Sequence, residues 1–382
     1  MTERSNLPAD RYHLTVEQYV RFRRDGFLIV PGLVAPADVA ELRQHTDDLM
    51  QGRLPQQQSQ MRDRDLSKDH GVTVQTLEAP PAHLSPAEKA QHFLRIHMLH
   101  RKLALHEKYM LHPRLLDVLE VLIGPDVLAL QTMLFLKPPG KPGQGWHQDS
   151  YYIPTHPDTL CGAWIAIDDA DELNGAMWFA KGSGVEPIYP PCPNAGYGFG
   201  DRLVGDILHV QNVSDPDDER NTLTAVAGKY DQVLAPVRAG DVVFFNGHVL
   251  HRSKKNFTTD RFRRAFVGHY CNARSFTQWG ADSPRGDVHA SQVVDPITKM
   301  TNGSHILARG NTHLPFAQPR FGTACAATMS VEQRRDQSES ALRVIAELNN
   351  GLLGCAMSQP PLDDHDDDPD QTRASAETGY GT

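Results

Sequence analysis

Two stretches decide how this chain is read: Gly145-Trp146-His147-Gln148-Asp149-Ser150-Tyr151-Tyr152, and Gly240-Asp241-Val242-Val243-Phe244-Phe245-Asn246-Gly247-His248-Val249-Leu250-His251-Arg252-Ser253. In an extended strand, side chains two apart point the same way. His147 and Asp149 therefore share a face while Gln148 points away, so one short segment delivers an imidazole and a carboxylate to one place. Val249, His251 and Ser253 share a face by the same alternation, which directs Ser253 toward whatever His251 binds. The long interval between His147 and His251 holds several strands, so the second imidazole is expected from a strand across a barrel.

The surrounding texture agrees. Thr15-Val16-Glu17-Gln18 has the pattern of a capping box and opens a helix that stops near Asp25-Gly26. Phe27 to Val30 is a brief strand and Pro31-Gly32 turns the chain. Ala35-Pro36-Ala37-Asp38 starts a second helix to about Gln51, with Val39, Leu42 and Leu49 facing a core. Residues 52–90 form a polar, proline-punctuated excursion. A helical block follows over about 86–123, broken near His112-Pro113, with Leu115, Leu116, Val118, Leu119 and Leu122 on its apolar face. From Val127 the pattern turns strand-like, at 127–136, 161–167, 241–245, 249–253 and 262–270, with a tight turn at Asn174-Gly175. Residues 181–232, rich in Gly, Pro, Asn and Asp, read as an insertion that lines or covers a site.

The expected fold is therefore mainly β with α: a double-stranded β-helix (jelly roll, cupin-like) core, N-terminal helices packed on one sheet, and a C-terminal extension. Its parts are a helical support over 1–125, a core over 126–275, an extension over 276–357 with a helix at about 330–350, and a disordered acidic tail over 358–382.

Charge and cysteine usage exclude other classes. Of the formal net charge of −9, −6 sits in residues 360–382, where six Asp and Glu377 face only Arg373. The body is close to neutral, so no nucleic-acid partner is expected. No run approaches the roughly 18 apolar residues that span a bilayer, and no apolar h-region opens the chain, which points to the cytoplasm. The five cysteines are odd in number and contain no CxxC pair, so reduced thiols are expected rather than a disulfide framework or a zinc ribbon.

Two imidazoles and one carboxylate occupy one face of an octahedral metal and leave the other face to a co-substrate and dioxygen, the arrangement of non-haem Fe(II) oxygenases. His147, Asp149 and His251 are the expected iron ligands and catalytic residues. His248 sits at the Asn246-Gly247 turn and is set aside, as is the helical series His92, His97, His100, His106 and His112. In Arg261-Phe262-Arg263-Arg264, Arg261 and Arg263 share a face. An arginine pointing into a barrel needs an anionic partner, and a bidentate carboxylate of a bound dicarboxylic acid such as 2-oxoglutarate would supply it. Tyr151 and Tyr152 follow the ligand pair and are candidate walls of a substrate pocket, whereas Trp164 and Trp178 read as core aromatics.

With these pieces set out, the chain resembles the phytanoyl-CoA dioxygenase (PhyH) family of Fe(II)/2-oxoglutarate-dependent oxygenases. The matching residues are 14–33, with Asp25-Gly26-Phe27-Leu28-Ile29-Val30-Pro31-Gly32-Leu33; Trp146-His147-Gln148-Asp149; Asn174-Gly175-Ala176-Met177 with Gly182-Ser183-Gly184; and Gly240-Asp241 through His251-Arg252-Ser253-Lys254-Lys255-Asn256 to Arg263-Arg264-Ala265. The resemblance implies iron at His147, Asp149 and His251, the 2-oxoglutarate C5 carboxylate on Arg263, and Ser253 and Gln131 as further co-substrate contacts. It also implies consumption of 2-oxoglutarate and dioxygen, release of succinate and carbon dioxide, and hydroxylation of an unactivated C–H of a small organic molecule; desaturation or ring formation come next. Related halogenases carry a small residue where this chain has Asp149. Two departures stand out. Arg252 and Gly184 replace the family's usual Gly and His, and the interval from His251 to Arg-Arg-Ala is one residue longer, which keeps Arg261 as a second candidate anchor. The rival readings are a non-catalytic cupin-like binding protein and a zinc or manganese isomerase. Substrate identity and oligomeric state stay open at this stage.

Overall fold

Helical structure starts where the sequence supplies a cap. Thr15 accepts the Gln18 backbone N–H at 3.1 Å while the Gln18 side chain accepts the Thr15 N–H at 2.9 Å. This box opens α1 (Val16–Asp25), which ends on Gly26 in the left-handed region. β1 (Phe27–Val30) and α2 (Pro36–Met50) follow, with Pro36 in the first turn, and then the short α3 (Pro55–Gln58) and α4 (Pro86–His92). Next come β2 (Arg95–His97), α5 (Ala104–Met110) and α6 (Pro113–Ile123). The computed structural model describes residues 11–58, 79–92, 95–189, 222–275, 277, 305–312 and 317, all within one unit, Met1–Val331.

The remaining strands are β3 (Val127–Lys137), β4 (Gln144–His147), β5 (Cys161–Ala166), β6 (Met177–Ala180), β7 (Gln232–Ala235), β8 (Val242–Asn246), β9 (His251–Ser253), β10 (Arg263–Asn272) and β11 (Ile306–Arg309), with the short helix α7 (Asp149–Tyr152) after β4. They form two antiparallel sheets. The larger runs β1-β8-β5-β10-β3-β11, with β2 also on β3, and the smaller runs β4-β9-β6-β7. This is the double-stranded β-helix.

Strict alternation along the central strands sorts two cores. Val242 and Phe244, Ala163 and Ile165, and Phe266 and Tyr270 face the helices with Leu42, Leu49, Leu115 and Leu119. Their neighbours Val243 and Phe245, Trp164 and Ala166, and Ala265 and Val267 face the smaller sheet with Met177 and Phe179. Both faces of the larger sheet are thus buried, which is why its strands read as nearly unbroken apolar runs.

Three expectations are corrected. The block over 86–123 is not wholly helical, since β2 pairs with β3 with His97 opposite Met133. β7 begins at the last residue assigned to the insertion and pairs with β6, Trp178 opposite Leu234. The C-terminal extension supplies β11, with Ile306 opposite Ala129. All three are edge strands of three or four residues, too short to show a period. The helix at about 330–350, the acidic tail and residues 190–221 of the insertion lie outside the described residues. Among the described residues, no helix is long and apolar enough to cross a membrane.

Asn256 closes one end of the barrel. It is fully buried; its Nδ2 donates to the carbonyls of Lys137 (3.2 Å) and Arg261 (2.7 Å), and its Oδ1 accepts from the Thr258 N–H (3.0 Å) and hydroxyl (2.6 Å). N256A removes a buried amide that donates to two carbonyls and accepts from Thr258, and should lower the unfolding free energy by about 1–3 kcal/mol. Urea unfolding monitored by circular dichroism checks this, and an unchanged midpoint would contradict it.

Candidate metal centre

β4 ends at His147, and Asp149 is the first residue of α7 rather than part of the strand. Gln148 between them stays extended (φ −122°, ψ 130°), so the two side chains still converge. His251 does not come from across the barrel. The intervening chain builds β5 to β8 and returns on the flank of β4, so that β9 is its hydrogen-bonded neighbour with His147 opposite His251. The two imidazole centroids lie 4.1 Å apart. Gly143 permits this approach, because a Cβ there would stand 1.8 Å from the Ser253 carbonyl oxygen.

The tautomers are fixed by backbone. His147 Nδ1 lies 2.9 Å from the Gly145 carbonyl oxygen and His251 Nδ1 lies 3.0 Å from that of Val249. A carbonyl only accepts, so each ring carries its proton on Nδ1 and presents a lone pair at Nε2. Those two Nε2 atoms lie 3.6 and 3.7 Å from Asp149 Oδ1. One atom from each of the three residues falls within 4.8 Å of the others. Three groups of the kind that ligate metals converge, which suits a cation. Burial alone would lift the Asp149 carboxyl, yet the neighbouring imidazoles of His251, His269 and His147 and the His269 hydrogen bond hold it well below the usual carboxylate range.

Beside the triad lie two cations that the carboxylates leave alone. Arg263 is buried, its guanidinium sits 5.6 Å from the Trp164 ring, and its Nε has no hydrogen-bond partner. Directly opposite it on β3 is Lys137, whose Nζ donates to Ser253 Oγ (2.9 Å) and the Lys254 carbonyl (2.8 Å). Among the described residues, neither forms an ion pair with a carboxylate. Burial pushes Arg263 down to about 10, with Asp168 offsetting part of the effect, and burial together with Arg263 holds Lys137 well below its ordinary value. A dicarboxylate would relieve both. Arg261, by contrast, is held by Asp171 at 2.7 and 3.1 Å.

Other expected residues separate. Ser253, two residues from His251, accepts from Lys137. The Tyr152 ring lies edge-on to His147 at 6.4 Å; Tyr151 packs with Trp146, Ala180 and Leu250 in a cluster that Tyr152 also borders. Gln131 donates its amide to His269 Nδ1 at 3.0 Å, and His269 Nε2 lies 2.8 Å from Asp149 Oδ2. Lys137 and His269 were missed in the sequence. Their only signal was phase: Lys137 shares a face of β3 with Gln131, and His269 shares a face of β10 with Arg263. His248 stands apart from the triad, hydrogen-bonded to Asp158 and to the Glu186 carbonyl.

Residues 22–265 match the family described as "Phytanoyl-CoA dioxygenase (PhyH)". The chain is 24% identical over 299 residues to phytanoyl-CoA dioxygenase domain-containing protein 1 of Danio rerio, covering 71% of this chain and 94% of the relative. It is 28% identical over 270 residues to the peroxisomal phytanoyl-CoA dioxygenase of Homo sapiens, covering 69% and 70%. Among solved structures, the epimerase SnoN in complex with Fe3+, alpha ketoglutarate and nogalamycin RO superposes with a TM-score of 0.49 at 20% identity, covering 75% of this chain and 94% of that one.

The His248–Asp158 contact yields a pH prediction. The hydrogen bond to Asp158 raises His248 against the opposing effect of burial. Burial would raise Asp158, but His248 outweighs it and holds the carboxyl low. The raised imidazole adds stability in full below about pH 6.5 and loses it as pH climbs through the raised value; the lowered carboxyl adds stability above about pH 3.9 and loses it on acidification. The stability difference between the parent protein and D158N should therefore be largest near about pH 5 and shrink toward alkaline pH, as measured by urea unfolding across that range. A gap that does not vary with pH would refute the assignment.

Proposed function

This chain belongs to the phytanoyl-CoA dioxygenase family, and we propose that it hydroxylates an unactivated C–H of a small organic molecule, with His147, Asp149 and His251 as iron ligands and Arg263 as the 2-oxoglutarate anchor. It is a non-haem Fe(II)/2-oxoglutarate-dependent dioxygenase. The observation that carries the residue assignment is the convergence of His147, Asp149 and His251 together with the buried pair Arg263 and Lys137, neither of which is ion-paired to a carboxylate among the described residues. The triad would hold a divalent cation, and Arg263 would hold a carboxylate of 2-oxoglutarate.

Bound iron, with 2-oxoglutarate and dioxygen, supplies an oxidant strong enough for such a bond and releases succinate and carbon dioxide. The protein's own residues hold and orient. The Nδ1–H groups of His147 and His251 are tied to backbone carbonyls, leaving both Nε2 lone pairs aimed inward. Arg263 and Lys137 face one another across β10 and β3 and would receive the distal carboxylate, with Ser253 Oγ holding Lys137 Nζ in place. Trp164 underlies the guanidinium and Phe245 packs 4.8 Å from His251, so the floor of the site is apolar. Gln131 serves the metal side rather than the co-substrate. Its amide nitrogen is engaged by His269, and its remaining atom, the buried Oε1, is an acceptor, which a dicarboxylate cannot use. Tyr152, beside His147, is the nearer of the two tyrosines to the place a substrate would occupy. Free, buried Cys161 and Cys271 suit a reducing cytoplasm.

Aerobic succinate formation from 2-oxoglutarate with ferrous iron tests the reading. D149A should abolish it, and absence of succinate from the parent protein with every candidate substrate would favour a non-catalytic barrel. R263M should lower kcat/KM for 2-oxoglutarate about 100-fold, the effect of losing roughly two hydrogen bonds to a charged group. The same variant should leave the ligand-free protein at least as stable, because it removes a buried charge that has no partner. A marked loss of stability in R263M would show that Arg263 is instead a structural cation.

A further inference from the structure

His269 is neither one of the three convergent ligands nor part of the cationic end. It is nonetheless buried, and it touches the carboxylate that the metal needs: His269 Nε2 lies 2.8 Å from Asp149 Oδ2. Behind it, Gln131 is its register partner across β10 and β3, and the Gln131 amide nitrogen lies 3.0 Å from His269 Nδ1. We propose that His269, locked by Gln131, is a positioning residue that makes Asp149 a one-oxygen ligand, occupying Oδ2 so that only Oδ1 faces the metal. This deepens the iron-site reading above and rests on it.

The direction of each hydrogen bond follows from the atoms. An amide nitrogen donates and cannot accept, so His269 Nδ1 is the acceptor. The neutral ring then carries its proton on Nε2, where it meets the carboxylate. Turning the Gln131 amide over would put its oxygen at Nδ1, move the ring proton there, and leave an Nε2 lone pair facing Asp149 Oδ2. A neutral ring thus satisfies both links in one arrangement only.

The tether matters because of where Asp149 sits. His147 and His251 are fixed by strand pairing and by their carbonyl contacts, but Asp149 opens the four-residue α7, outside either sheet. Strand geometry does not set its carboxylate plane. Oδ1 is the atom 3.6 and 3.7 Å from the two Nε2 groups, and Oδ2 is the atom His269 takes. A carboxylate free to turn could offer both oxygens to a metal and fill a position that the co-substrate or dioxygen requires. The Phe245 ring stands perpendicular to the His269 ring at 6.5 Å and helps to keep it in place. Partners in this outer position generally contribute a factor of 10 to 100 in metal affinity.

The test is a Co(II) titration of the metal-free full-length protein followed by visible absorption, repeated with 2-oxoglutarate present. H269A should bind Co(II) about 10-fold to 100-fold more weakly, and 2-oxoglutarate should perturb its cobalt spectrum less than that of the parent. H269Q, whose amide nitrogen can replace Nε2–H, should recover most of the affinity, and Q131L should fall between H269A and the parent. Circular dichroism of the metal-free proteins checks folding; if H269A is unfolded, H269Q and Q131L carry the comparison. H269A binding as tightly as the parent would overturn the proposal, and so would H269Q binding as weakly as a folded H269A. Failure of the parent protein to bind Co(II) would remove the metal centre itself, and this inference with it.

Discussion

The pairing of β4 with β9 is the constraint on which the rest depends. Side chains directly opposite on antiparallel strands are brought within contact distance, and here the opposed residues are His147 and His251. Strand side chains alternate faces, so a slip of one residue would carry His251 and Ser253 to the outer surface of the smaller sheet and abolish the site. Arg252 guards against that slip. It points to the outer face, where its guanidinium lies 4.6 Å from the Trp146 ring and 5.8 Å from that of Trp178. Arg252 replaces the glycine usual in the family, and its stacking on rings from β4 and β6 ties β9 to both neighbours. The departure in sequence thus lies on the face away from His251, where it packs on both neighbouring strands.

That register places two kinds of incompleteness side by side. His251 and Ser253 are two apart on one strand: the first contributes to a cluster of acceptors, and the second reaches the cationic pair through Lys137. Buried polar groups in folded proteins are normally matched by their own neighbours. A region that concentrates lone pairs at one end and buried positive charge at the other is matched only by something with the opposite layout, a cation attached to an anion. The apolar floor of Trp164, Val243, Phe245 and Val267 strengthens that demand by keeping the local dielectric low.

Much of this was legible in the sequence, for physical reasons that differ by element. The capping box at Thr15, the break before Pro113 and the alternation in β8 and β10 are local, and local rules found them. The ligand triad was legible because a His-X-Asp pair and a distal His-X-Ser each obey a period of two. Lys137 and His269 were not, because each is a polar residue with mostly apolar neighbours along its strand, and its meaning lies in what the fold sets against it: Arg263 in one case, Gln131 and Asp149 in the other. The placement of His251 was misjudged for a related reason. A long interval in sequence suggests distance across the barrel, whereas the β-helix winds its chain through the opposite sheet and brings it back to the adjacent position.

The contrast between neighbouring arginines on β10 shows how selective the missing charge is. Arg264 points to the helical face and is fully provided for: it bonds Asp168 through Nε at 2.7 Å and Nη2 at 2.8 Å, and it reaches Asp47 on α2 at 2.5 Å. Arg263, one residue earlier and pointing the other way, has Ala265 and Val267 along its own face and Lys137 opposite. The same strand therefore carries one guanidinium matched by the protein itself and one surrounded by apolar side chains and a second cation. Folding alone gives little reason for the second, since burial of this cation is offset only in part by Asp168 and opposes stability. A ligand carboxylate that arrives after folding would supply the counter-charge that Arg263 lacks from its own strand neighbours.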